Sequence, residues 1–218
     1  MVNNHESTVA TRMIIESIKK TGTKLEPIIL PATTPQTIGE GIDQLDMNGV
    51  AWTYPLDEHQ DGLDLKTGLR LTHYKTANHS NRVAIELNQT IVVLEHDALF
   101  TDTLCPKDLT SEWKGGIIGL NDPRGATRRS QDFHAKVSSK VGLQSVPYVD
   151  DWDVPQGLAG NSAYMISPKA AKKLLNKVKE IGMWPNDALM CKQMFPWLEV
   201  VYPYYTTIQK GLTSTTTQ

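Results

Sequence analysis

The chain has 218 residues, 39% of them hydrophobic and 21% charged, with a formal net charge of -2. That is enough chain for one domain with a sizeable core, and no apolar run reaches the length of a membrane span. So even a charge balance offers no global case for nucleic acid or an anionic membrane as partner.

The start, Met1-Val2-Asn3-Asn4-His5-Glu6, is too polar for a secretory signal. Cys105 and Cys191 stand far apart without metal-ligand spacing, so they read as thiols of a cytoplasmic protein. Residues 7–20 read as a helix, capped by Ser7, with Val9, Met13, Ile14 and Ile18 on one stripe and Gly22 closing it. A short strand is expected at 27–31, a helix at 38–47, and a loop rich in Asp, Gly, His and Pro at 51–67. The stretch 71–88 is polar in its first half and helical in spacing through Val83, Ala84 and Leu87.

The chain is organised around Ile91-Val92-Val93-Leu94, an apolar run without alternation, followed at once by Glu95-His96-Asp97. The run fits a strand buried on both faces, as in the middle of a parallel sheet. Ligands of open α/β sheets bind beyond the carboxyl ends of the strands, where both acids stand. Two carboxylates there are hard ligands suited to Mg²⁺ or Mn²⁺ carrying a diphosphate. A solvated acidic turn is the plainer alternative. If alternation persists past Leu94, His96 faces away from the two acids.

Downstream, a polar connection at 101–114 leads to a strand at 115–120. The next loop carries Arg124, Arg128 and Arg129, which fit either a solvated surface or an anion-contacting flap. Asp150, Asp151 and Asp153 read as a solvated turn, and the small residues at 156–163 lead into a strand at 164–166. Ser167-Pro168 opens the clearest helix, with Ala171, Leu174, Leu175, Val178 and Ile181 as its buried stripe and Gly182 as its stop. A second helix is expected at 188–195, with Asp187 just ahead of it as a cap or as a functional acid. A strand and an aromatic turn follow at 198–205.

Taken in order, Leu71-Thr72-His73-Tyr74-Lys75, the acidic segment Leu94-Glu95-His96-Asp97-Ala98, and Gly160-Asn161-Ser162-Ala163-Tyr164 with its helix resemble glycosyltransferase family 25, the lipopolysaccharide-biosynthesis type. The resemblance covers roughly residues 70–190. The family's apolar first strand followed by Asn-Leu and arginines is missing, since Met1-Val2-Asn3 supplies at most a stub.

The resemblance implies an α/β, single-domain GT-A-like fold at 1–212 with a mostly parallel central sheet flanked by helices, and a polar tail at 213–218. It implies an inverting hexosyltransferase moving sugar from a nucleotide-diphosphate donor, with Mn²⁺ or Mg²⁺ on Glu95 and Asp97. Asp187 matches the family's acid and becomes the catalytic base. Ala32, Thr33, His73, Lys75 and His96 become donor contacts, and Asn161 and Trp184 acceptor contacts. The expected acceptor is a glycan, with no obligate protein partner. Hydroxymethylated bases in DNA, glycosylated by some viral enzymes, are the alternative. Another is an inactive protein that only binds nucleotide sugar or glycan.

Overall fold

The computed structural model describes residues 5–31, 77–78, 80–110, 113, 116–126, 129–149, 157–182 and 186–212. The elements expected at 38–47 and 51–67 and the tail at 213–218 lie outside them. The described helices are α1 (His5–Thr21), α2 (described over 80–86), α3 (Pro106–Thr110), α4 (Ser130–Ser138), α5 (Pro168–Ile181) and α6 (Asn186–Leu189). The strands are β1 (Ile91–Leu94), β2 (Ala98–Phe100), β3 (Ile117–Gly119), β4 (Gly142–Ser145), β5 (Ala163–Ile166), β6 (Glu199–Tyr202) and β7 (Thr206–Ile208).

Five strands form one sheet in the order β1-β5-β3-β6-β4, and β2 pairs with β7 in a second. Only β3 and β6 run parallel; β1–β5, β5–β3 and β6–β4 are antiparallel. The mostly parallel sheet is therefore corrected to a mostly antiparallel one. The place of β1 is corrected too: expected in mid-sheet and buried on both faces, it is the edge strand of the described sheet and its four residues are only half-buried, Ile91 and Val93 against one core cluster and Val92 and Leu94 against the other. An apolar run reports contact on both faces and says nothing of strand direction. Side chains alternate across β5, with Tyr164 and Ile166 entering one core cluster and Ala163 and Met165 the other. Ile117 and Ile118 divide the same way, as do Val200 and Val201. The first cluster takes the stripe of α5 (Ala170, Ala171, Leu174, Val178), and the second takes Ile14 and Ile18 of α1.

Local signals account for the helix ends. Ser167 Oγ accepts from Ala170 N at 3.1 Å, Pro168 opens α5, and Gly182 ends it at φ 91°. Each fully buried leucine of the stripe, such as Leu174, contributes about 1.5–3 kcal/mol. In α1 the buried stripe is Ala10, Ile14 and Ile18, whereas Val9 and Met13 stay exposed, which shifts the expected face. Ser7 lies inside α1 and does not cap it. The strand expected at 27–31 is irregular, with Ile28 and Ile29 exposed. Pro27 and Pro31 contribute no amide hydrogen there, so a ladder has few donors.

The helix expected at 188–195 shrinks to the single turn of α6. Leu158 N takes the carbonyl of Met190, and Gly157 bridges Cys191, so this backbone is diverted from helical bonding. The strand expected within 198–205 is β6, and the turn expected after it, which contains the cis Tyr202–Pro203 bond, leads into β7 at Thr206. No helix among the described residues is long and apolar enough to cross a membrane.

Candidate functional site

At the end of β1 the chain changes sheets. Leu94 is paired with Ala163, and Glu95 N continues the ladder by donating to Ser162 O at 2.8 Å. His96 and Asp97 then form a turn, closed by Ala98 N donating to Glu95 O at 3.1 Å, and β2 departs into the second sheet. Strand alternation therefore stops at Glu95. The expectation that His96 faces away by continued alternation does not hold.

The turn is clamped from the far end of the chain. Gln209 N donates to Asp97 O at 2.7 Å, and Gln209 Nε2 donates to His96 O at 3.1 Å and Ala10 O at 3.0 Å. A backbone fixed at this many points holds its carboxylates in a set direction.

Glu95 keeps some exposed surface, but its carboxyl is enclosed by protein. Burial pushes its pKa up to about 8, and the negative charges of Asp97 and Asp187 push the same way. The Ser162 hydroxyl, donating to Glu95 Oε2 at 3.4 Å, opposes that rise. Asp97 Oδ1 is buried with no hydrogen-bond partner among the described residues. An enclosed acid beside two others is costly without a cation, and an orphaned carboxylate oxygen is the donor a hard cation takes. Glu95 and Asp97 are the two acids that would hold a divalent ion here. Among the described residues, no three of His, Cys, Asp and Glu gather closely enough to hold a metal by themselves.

Asp187, on α6, lies near enough for its charge to bear on Glu95. It lies within the first helical turn, not ahead of it, and its exposed carboxylate accepts from Ala188 N at 3.0 Å. Gly157 lets the backbone of α6 approach, because a Cβ there would run into the carbonyl oxygen of Asp187. Asn161 is buried, donates from Nδ2 to Met190 Sδ at 3.6 Å, and leaves Oδ1 without a partner among the described residues.

Glu95 and Asp97 thus share one turn, Asp187 bears on Glu95 through its charge, and Asn161 precedes the Ser162 that bonds Glu95. Ala32, Thr33, His73, Lys75 and Trp184 lie outside the described residues, as does Arg128. Arg124 turns onto Asp122 through Nε and Nη2 (Nη2 to Oδ2 at 2.6 Å), so its guanidinium already has a carboxylate.

Sequence reasoning gave no role to Ser162, Tyr164, Asn81 or Asn186. Tyr164 Oη donates to Asn81 Oδ1 at 2.7 Å and accepts from Asn186 Nδ2 at 3.4 Å, all three buried. Asn186 stood beside Asp187 in the sequence, but nothing in residue type or spacing linked it to a tyrosine in β5. Protein-family models, curated proteins and solved structures were each compared with the chain, and none matches.

Proposed function

We propose that the protein transfers a sugar from a nucleotide-diphosphate donor to an acceptor hydroxyl, with inversion, on a GT-A-like scaffold. The observation that carries this reading is the acid pair Glu95 and Asp97 on a clamped turn at the end of β1, with Asp97 Oδ1 buried and unpartnered among the described residues, while Asp187 on α6 lies near enough for its charge to bear on Glu95. The two groups differ in surroundings, and that difference assigns their roles.

Glu95, enclosed by protein, and Asp97, with one carboxylate oxygen buried, stand on a clamped backbone and would hold the cation, which when bound would offset charge growing on the departing diphosphate. The described protein atoms supply fewer than three acidic or imidazole ligands, so other ligands such as diphosphate and water would be needed. Asp187 is exposed and reachable by an acceptor from solvent. It takes the proton of the acceptor hydroxyl as that oxygen bonds to the anomeric carbon and the bond from that carbon to the diphosphate oxygen breaks. Ser162 holds Glu95, and Gln209 holds the turn, so neither acid has to be ordered when donor arrives.

The leading acceptor is a glycan. The test is a panel of sugar nucleotides incubated with Mn²⁺, following donor hydrolysis and transfer to oligosaccharides and to hydroxymethylcytosine DNA in parallel. Hydrolysis or transfer that EDTA abolishes is expected, together with loss of Mn²⁺-dependent donor binding in Asp97→Asn. Donor binding without turnover would point to a catalytically silent sugar-nucleotide binder. Label in DNA would replace the glycan as acceptor, and neither binding nor turnover with any donor would overturn the reading.

A further inference from the structure

We infer that Tyr164 is a positioning residue whose hydroxyl, held between Asn81 and Asn186, sets the helical turn that carries Asp187. This deepens the proposed reaction and rests on Asp187 acting in it. Tyr164 lies in β5 opposite Val93 of β1 and Gly119 of β3, two residues beyond the serine that bonds Glu95. Its ring belongs to the larger core cluster, so packing alone would be served as well by phenylalanine. The hydroxyl instead joins three elements: β5 that carries it, α2 through Asn81, and α6 through Asn186.

The case rests on which contacts hold α6 and which of them are directional. It is a single turn of four residues, too short to persist by its own hydrogen bonds. Met190 N closes onto Asn186 O at 2.9 Å, Leu158 N holds Met190 O at 2.8 Å, and the bare backbone of Gly157 packs against Asp187. Those contacts fix the depth of the turn. Its rotation is set by two buried side chains, Leu189 by apolar packing and Asn186 by a directional hydrogen bond, and each residue step around a helix is about 100°. Releasing Asn186 therefore swings the carboxylate of the next residue.

The network is not arranged for greatest stability. Asn81 Nδ2 and Asn186 Oδ1 are buried without partners among the described residues, which a purely structural site would avoid. Burial disfavours ionisation of the Tyr164 hydroxyl, and the charge of Glu95 pushes the same way, so it keeps its proton and stays a donor to Asn81.

The experiment compares Tyr164→Phe, Asn186→Ala and, as a control, Leu174→Ala, which loosens the same core away from the network. Two readouts are taken on the full-length protein: steady-state kinetics on the best donor, and amide hydrogen exchange along the chain. In Tyr164→Phe and Asn186→Ala, kcat should fall by about 10²-fold, the cost of a catalytic group displaced by about 1 Å, while donor KM stays within about threefold. Exchange should quicken at 187–190 and not in β3 or β5, and Leu174→Ala should do neither. Asn186→Ala carries the test if Tyr164→Phe fails to fold. Unchanged kcat with unchanged exchange at 187–190 would overturn the inference. If the wild type turns over no donor, the reaction itself is wrong, and the exchange pattern alone then decides whether the hydroxyl holds the turn.

Discussion

Two carboxylates in this protein do opposite things because their surroundings differ. Glu95 holds its proton up to about pH 8, against an ordinary value of 4.5, chiefly because burial penalises its charged form. Between those values the folded protein binds more protons than the unfolded chain, so this group's contribution to stability is full below pH 4.5 and is lost as pH rises towards 8. The metal-free protein should therefore show a melting temperature that declines across that window, and Glu95→Gln should flatten the decline. A slope unchanged in Glu95→Gln would mean that another group titrates there. Asp187 is exposed, and its local bond to Ala188 N can be made by the oxygen of an asparagine. Asp187→Asn should thus leave the melting temperature within about a degree and donor affinity intact, while turnover drops by about two to four orders of magnitude, the usual worth of a general base. Turnover close to wild type would return Asp187 to a purely structural part in its helix.

Single elements are fitted to the site by what their glycines leave out. A Cβ on Gly157 would collide with the carbonyl oxygen and carbon of Asp187, both backbone atoms of α6 that have no rotamer to change. A Cβ on Gly119 in β3 would meet only the side chain of Leu158, with Cδ1 at 2.7 Å, which has some freedom to turn aside. Gly157→Ala is accordingly expected to cost about 1–3 kcal/mol by overpacking and to depress turnover further, since α6 must move as a unit. Gly119→Ala should cost less and spare turnover. Chemical denaturation of both variants, paired with kinetics, checks the order; full turnover in Gly157→Ala would show that the approach of α6 to residue 157 is not needed for activity.

Across the whole molecule, Gln209 joins three distant parts: α1 through Ala10 O, the acid-bearing turn through His96 O and Asp97 O, and the end of β7 from which it comes. It is buried, and removing its amide leaves two carbonyls short of a donor. Gln209→Ala is expected to lower stability by about 1–3 kcal/mol and to weaken Mn²⁺ binding as well, because the turn that directs Glu95 and Asp97 loses its clamp. Calorimetric titration with Mn²⁺ separates that from Gly157→Ala, where metal binding should survive.

Features carried by neighbours in sequence were readable in advance. Ser167 caps α5, Pro168 opens it and Gly182 stops it, because each acts on backbone within one turn of itself. The apolar run at 91–94 is a strand, and both acids do follow its end. Strand direction was not readable, since two covered faces demand the same apolar residues in parallel and antiparallel sheets. Nor was the length of α6, which ends where Gly157 and Leu158 take over the backbone of residues 190 and 191. The meeting of Glu95 with Asp187, and the thread from Asn81 through Tyr164 to Asn186, depend on contacts between residues 22 to 92 positions apart. No local pattern records such a contact. It exists only once β1, β5 and β3 lie side by side and their two faces have been filled.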